Sequence, residues 1–311
     1  MVDKVDKIWM DGKWVDWDQA QVHVLTHTLH YGLGAFEGIR CYKRDDGRSA
    51  IFRLKEHIQR LFDSAKIVTI PMPFSTDEIE AACLEAVVIN KLEECYLRPL
   101  VFVGAGAMGL HAMDNPTHVA VVVWKWGAYL GDDGLEKGIR TKVSSFTRPG
   151  INMVLSKGKV VGHYVSSILA KREVMQSGYQ EAIMLDSHGA VAEASGENLF
   201  LVKQGVVHTP GYGGSLLGGI TRDTVITLSQ DLGLSVVERQ ISRDELYVAD
   251  EVFLCGTAAE VTPVREIDDR VVGEGHRGPI TTAIQERFFQ VVRGKETLHP
   301  EWLSFVERLP K

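Results

Sequence analysis

Residues 127–138 read GAYLGDDGLEKG, and this run decides how the chain is divided. Its four glycines and mixed charge give it the composition of a linker or hinge. Upstream, residues 8–15 carry an Asp11-Gly12 turn between short apolar runs and read as a β-hairpin. Leu54, Ile58, Leu61, Phe62 and Ala65 recur at helical spacing and predict a helix over 54–66. Ser75-Thr-Asp-Glu78 predicts a second helix, capped by Ser75 or Thr76 and running to about Lys91. Two buried strands follow at 96–103 and 118–124, with the glycine-rich GAGAMG between them. Downstream of the linker, strands are expected at 139–144, 181–185 and 251–254, and helices at 165–177 and 221–232. The expected fold is therefore mixed α/β (α+β) in two domains. Residues 1–126 form the small N-terminal one, 127–138 the linker, and 139–311 the large C-terminal one.

At 311 residues the chain exceeds the usual single core, taking ~150 residues per domain. Hydrophobic residues make up 45 % and charged residues 24 %, ordinary for a globular protein and unlike a disordered one. The net charge of −7, from 34 basic and 41 acidic residues without a Lys/Arg run, disfavours nucleic acid as a partner. Any bound anion should be held by a few aimed groups. Cys41, Cys83, Cys95 and Cys255 are scattered and read as reduced intracellular thiols, with no metal site. The first residues offer no apolar leader, and the longest apolar runs fall far short of a ~20-residue span. A cytoplasmic location is expected, with no membrane association.

Four segments carry chemistry. The first is Lys157-Gly-Lys159-Val-Val-Gly-His-Tyr164, a glycine turn entering a helix. Two such lysines suit a solvated turn, but one of them also suits a Schiff-base lysine, whose amine must be desolvated to react. The apolar neighbours Val160 and Val161 favour Lys159 over Lys157. The second is Glu193-Ala-Ser-Gly-Glu197-Asn198, where a carboxylate among small residues either caps a turn or holds a protonated ring nitrogen. Glu193 is preferred, with Glu197 as competitor. The third is the glycine run before Ile220-Thr221-Arg222, plain loop chemistry or a phosphate-binding helix start with Thr221 as cap. Cys255-Gly256-Thr257-Ala258-Ala259-Glu260 is similar. The fourth is Tyr31-Gly-Leu-Gly-Ala-Phe36-Glu-Gly38, followed by Arg53 and Arg60 on one helix face, where His57 reads as a packed or capping residue. Serine-triad and metalloprotease motifs are lacking.

Taken in order, YGLGAFEGIR, HIQRLFDSAK, YLRPL, the lysine segment, EASGENLF, GGITRD and GTAAEVTPV resemble the branched-chain amino acid aminotransferases of the fold-type IV pyridoxal-phosphate enzymes, from about Trp9 to about Phe305. The resemblance implies that architecture, with pyridoxal 5'-phosphate in the interdomain cleft. It implies Lys159 as the Schiff-base lysine and proton carrier, Tyr164 near the cofactor's phenolic oxygen, and Glu193 on the pyridine nitrogen. Arg60, Ile220, Thr221 and Thr257 would hold the phosphate, with Gly219 and Gly256 also binding the cofactor. The substrate α-carboxylate would lie near Tyr96, Thr257 and the amides of Ala258 and Ala259. Arg98 would take the second carboxylate of glutamate, helped by Tyr31 of a neighbouring subunit, and Phe36, Gly38, Trp126 and Tyr129 would line an apolar pocket. The implied reaction is transamination of L-leucine, L-isoleucine and L-valine with 2-oxoglutarate, in a homodimer or a homohexamer. Residues 104–110, GAGAMGL, depart from the family pattern. On the same fold the alternatives are a D-amino acid transaminase and 4-amino-4-deoxychorismate lyase. A silent cofactor-binding module is disfavoured by Lys159 and Glu193 together.

Overall fold

A computed structural model describes residues 2–127, 131–295 and 298–307. The chain divides into two compact units, one of Met1–Trp126, Gly158–His163 and Val291–Lys311, the other of Gly127–Lys157 and Tyr164–Gln290. The change at Gly127 falls where the glycine run begins. The second half, expected as one continuous domain, is interrupted: Gly158–His163, with Lys159, and the last residues group with the first unit. The physical reason is pairing between residues far apart in sequence. Ala35 bridges to Val160, and the strand Leu303–Val306 pairs with Ser49–Phe52.

The first unit is built on an antiparallel sheet. Its strand order is Leu303–Val306, Ser49–Phe52, Ile39–Lys43, Cys95–Val103, Thr117–Trp124, Lys7–Met10 and Lys13–Asp16, with Gly34–Phe36 also on Cys95–Val103. The hairpin Lys7–Asp16 turns where expected, because Asp11 (φ 50°) and Gly12 (φ 81°) both adopt the left-handed conformation such a tight turn needs. Ser75 caps the helix Thr76–Ile89 by exchanging hydrogen bonds with Glu78. Leu61 and Ala65 from the helix Leu54–Ile67 join Ile79, Val87, Leu97 and Val121 in one buried apolar cluster. Each of its larger side chains contributes about 1.5–3 kcal/mol on burial.

The second unit holds a mixed sheet. Its strand order is Val191–Ala194, Glu181–Leu185, Ile139–Val143, Glu260–Ile267, Glu251–Gly256, Asn198–Lys203, Val206–Pro210 and Val236–Arg239, with Arg270–Val271 beside Glu260–Ile267. The helix Tyr164–Gln176 packs Ala170 and Val174 on Ala182 and Met184. The stretch read as linker contains a short helix, Asp132–Lys137. Lys137 pairs with Asp133 one turn earlier at 2.8 Å, and Gly131 and Gly138, at φ 78° and 80°, bound it. Among the described residues no helix is long and apolar enough to cross a membrane.

Candidate active site

In the first unit the chain leaves the strand Gly34–Phe36 and buries a carboxylate. Glu37 is 0 % exposed. Arg60 donates to both its oxygens, Nε to Oε1 at 2.7 Å and Nη2 to Oε2 at 2.8 Å, and His57 Nδ1 lies 2.7 Å from Oε2. Burial alone would raise this carboxyl, but the charges and hydrogen bonds of Arg60 and His57 carry it well below the usual carboxylate range. Burial lowers His57 in turn, against the pull of Glu37, and Arg60 and Lys159 add to the fall. His57 is therefore neutral at pH 7, and its Nδ1 carries the hydrogen given to Glu37. The histidine is packed, as its spacing suggested, but against an acid.

Around this group stands an aromatic wall. Phe36 N–H donates to the Lys159 carbonyl at 3.1 Å, and Lys159 N–H donates to Ser64 Oγ at 2.9 Å. These bonds set Lys159 Nζ 5.1 Å from the centre of the Phe36 ring. Arg98 lies over the same ring at 4.7 Å, and at 5.6 Å from both Tyr96 and Trp124. Tyr96 and Trp126 meet edge to face at 4.6 Å. A Cβ at Gly38 would come within 1.8 Å of the Tyr96 hydroxyl, so only glycine fits beside this wall. Buried Arg98 Nε makes no hydrogen bond among the described residues. Thus Phe36, Gly38, Tyr96, Arg98, Trp126 and Lys159 are brought together, with Arg60 on the Glu37 side. Tyr31 stands 45 % exposed, 4.6 Å from His27. Tyr129 lies outside the described residues.

In the second unit Glu193, 5 % exposed, sits on the strand Val191–Ala194. Arg148 Nη2 is 2.8 Å from Oε1, while the Leu217 amide and Asn198 Nδ2 donate to Oε2 at 3.1 and 3.3 Å. Glu197 is different: burial first, then Glu181, pushes its carboxyl up to about 8. Burial and the neighbouring acid both favour its protonated form. The two acids left open by the sequence thus have different charged neighbours, Arg148 beside Glu193 and Glu181 near Glu197.

The glycine run leads into the helix Ile220–Asp231, whose cap is Gly219, not Thr221 as expected. The Asp223 amide already bonds to the Gly219 carbonyl at 3.0 Å, so Ile220, Thr221 and Arg222 head the helix. Their N–H groups and the helix dipole favour an anion. A Cβ at Gly219 would meet Asn198 Oδ1 at 2.0 Å. Gly256 ends the strand Glu251–Gly256, and Thr257, Ala258 and Ala259 form the turn after it. Tyr164 opens its helix half-buried.

Lys157 has a separate place. Its Nζ donates to the carbonyls of Tyr212, Gly214 and Leu216 at 2.5, 3.0 and 2.9 Å. Burial lowers this ammonium, with Glu193 opposing and Arg222 adding to the fall. Geometry still decides against a reactive amine, because three carbonyls accept all three hydrogens of the charged form.

Sequence reasoning missed Glu37, Ser64, Asn198 and Arg148. Glu37 stood between Phe36 and Gly38 in a quoted motif, and an acid in so apolar a setting was the available signal. Arg148 lies outside any motif.

A profile of the class IV amino-transferases matches residues 34–267, and the chain belongs to that family. Its near relatives are more particular. The branched-chain-amino-acid aminotransferase of Pseudomonas aeruginosa is 49 % identical over 307 residues, 99 % of each chain. The crystal structure of the branched-chain amino acid aminotransferase of Escherichia coli matches with a TM-score of 0.95 at 47 % identity, over 98 % of this chain and 100 % of that one. That of Thermobaculum terrenum, a holo form with pyridoxal phosphate, matches at 0.90 and 33 % identity, over 98 % and 99 %.

Proposed function

We propose that the protein is a pyridoxal 5'-phosphate-dependent transaminase acting on L-leucine, L-isoleucine and L-valine with 2-oxoglutarate, giving branched 2-oxo acids and L-glutamate. The observation that carries it is Lys159 and Arg98 set over one ring, Phe36, in an aromatic cluster with Tyr96 and Trp126. The donor set fits the cofactor: a buried, arginine-paired carboxylate, and a glycine-headed helix start where a Cβ would clash. When bound, the pyridoxal ring supplies an electron sink and carries the amino group between substrates.

Glu193 would pair with the ring nitrogen and keep it protonated, and Tyr164 would lie near the ring oxygen. Arg60, Ile220, Thr221 and Thr257 would hold the phosphate, and Gly219 and Gly256 would complete the cofactor site. Lys159 Nζ would carry a proton away from Cα of the incoming amino acid in one half of the exchange and deliver one to Cα of the new amino acid in the other. Tyr96, Thr257 and the amides of Ala258 and Ala259 orient the α-carboxylate. Phe36, Gly38, Trp126 and Tyr129 exclude water from a branched side chain. Arg98 accepts the second carboxylate of glutamate, which an apolar wall alone would reject. One pocket thereby takes both substrates.

The working form is a homodimer, alone or assembled into a homohexamer, with Tyr31 completing the neighbour's pocket. Exposed Val24, Leu29 and Leu110 support such an interface, Leu110 at 92 %. Four buried free cysteines are consistent with a cytoplasmic location. An amino-donor panel with 2-oxoglutarate tests the reading. Turnover of L-leucine, L-isoleucine and L-valine is expected; turnover confined to D-amino acids, or pyruvate release without an acceptor, contradicts it.

A further inference from the structure

The Lys157 side chain is spent on one loop, and that loop leads to both the Glu193 carboxylate and the start of the helix Ile220–Asp231 in the second unit. Its three carbonyl acceptors, Tyr212, Gly214 and Leu216, fall within five residues, and Nζ also lies 4.3 Å over the Tyr212 ring. The next residue, Leu217, gives its amide to Glu193 Oε2 at 3.1 Å, while its carbonyl accepts Asn198 Nδ2 at 3.0 Å. Asn198 in turn donates to Glu193 at 3.3 Å and abuts Gly219, the cap of the helix Ile220–Asp231. From the other end, Arg222 ties the same loop by donating to the Pro210 carbonyl at 2.9 Å and to Glu238 at 2.7 Å. Glycines at 211, 213, 214, 218 and 219 leave the loop with high backbone entropy when untied.

We propose that Lys157 is a positioning residue: it fixes the loop 212–216, and through the Leu217 amide it holds the Glu193 carboxylate and the start of the helix Ile220–Asp231 in register. An ammonium suits this task because its three hydrogens diverge from one point toward three carbonyls. A planar guanidinium cannot match that arrangement, so arginine keeps the charge without the geometry. The proposal rests on the assignment of Glu193 and the helix start to the cofactor.

The test compares full-length wild type, Lys157→Met, Lys157→Arg and Glu193→Gln. Hydrogen exchange at the Leu217 amide is read first, in the cofactor-free protein. Lys157→Met should exchange markedly faster there, while amides of the strand Asn198–Lys203 stay protected. Titration with pyridoxal 5'-phosphate is read second, from its visible absorbance. Lys157→Met should raise Kd about tenfold, or about 1.4 kcal/mol. The pH at which the bound absorbance changes should move in the direction produced by Glu193→Gln. Lys157→Arg should recover less than half of the affinity lost. In the double variant the two effects should be less than additive, since both act through Glu193.

Unchanged Leu217 exchange in Lys157→Met overturns the proposal, as does a Kd within about twofold of wild type. If Lys157→Met does not fold, Lys157→Arg decides by the same two readings. A wild type that takes up no pyridoxal 5'-phosphate would overturn the functional reading instead, and the Leu217 exchange would still judge the loop.

Discussion

Lys157 and Lys159 stand two residues apart and do opposite things. The chain crosses from the second unit to the first between them. Lys157 gives its hydrogens to three backbone carbonyls and is held as an ammonium. Lys159 is held by its backbone, through Ser64 and Phe36, while its amine reaches an aromatic face. A lysine anchored by its head group is a strut, and one anchored by its main chain is a tool. Glu197 and Glu193 show the same contrast four residues apart: one is buried near another acid, Glu181, while the other is met by Arg148.

The largest effect expected is that of Lys159→Ala. Removal of the proposed proton carrier should cut transamination by at least about 10²–10⁴-fold, measured as kcat with L-leucine. Lys157 variants should lose far less turnover than Lys159→Ala at saturating cofactor, which keeps the two lysines distinct. Glu37→Gln should come next. It leaves Arg60 and His57 facing a buried amide, and breaking such a pair costs about 3–5 kcal/mol, seen as a lower Tm. No comparable drop for Glu37→Gln would contradict a buried, ionised carboxylate held by Arg60 and His57.

Arg98→Ala should separate the two substrate types. Losing a charged partner should lower kcat/KM for glutamate about tenfold or more while leucine changes little. Equal losses for both would show that Arg98 serves the wall and not the second carboxylate. The smallest effect concerns Glu197. Its folded-state pKa of about 8 lies above the ordinary 4.5, so between those values the folded protein holds a proton that the unfolded chain has released. Stability from this group is full below about 4.5 and is lost as pH rises through about 8. Glu197→Gln should flatten the fall of Tm across that window, by about 2–4 °C per kcal/mol recovered. An identical pH slope in the variant would contradict the protonated state.

Local signals were legible. Asp11-Gly12 marked its hairpin, Ser75 its helix, and the apolar run 119–124 its strand, because each depends on neighbours in sequence. Most of the proposed site is read from the sequence too, but only through seven short motifs held in order. Three things were not. The placement of Lys159 with the first unit depends on a bridge between Ala35 and Val160, which no local pattern encodes. The Glu37–His57–Arg60 group needs a turn of helix laid against a strand end before the charges meet. Arg148 reaches Glu193 across 45 residues without a motif of its own. The helix Pro279–Arg293 shows the cost of ignoring a quiet signal: Ile284, Phe288 and Val291 recur at helical spacing and are buried.

The central claim is that Lys159, and not Lys157, carries the cofactor. Protein loaded with pyridoxal 5'-phosphate can be reduced with borohydride, digested and mapped by mass spectrometry. A phosphopyridoxyl group on Lys159 with Lys157 unmodified is the predicted result; the group on Lys157, or on neither lysine, would contradict the account.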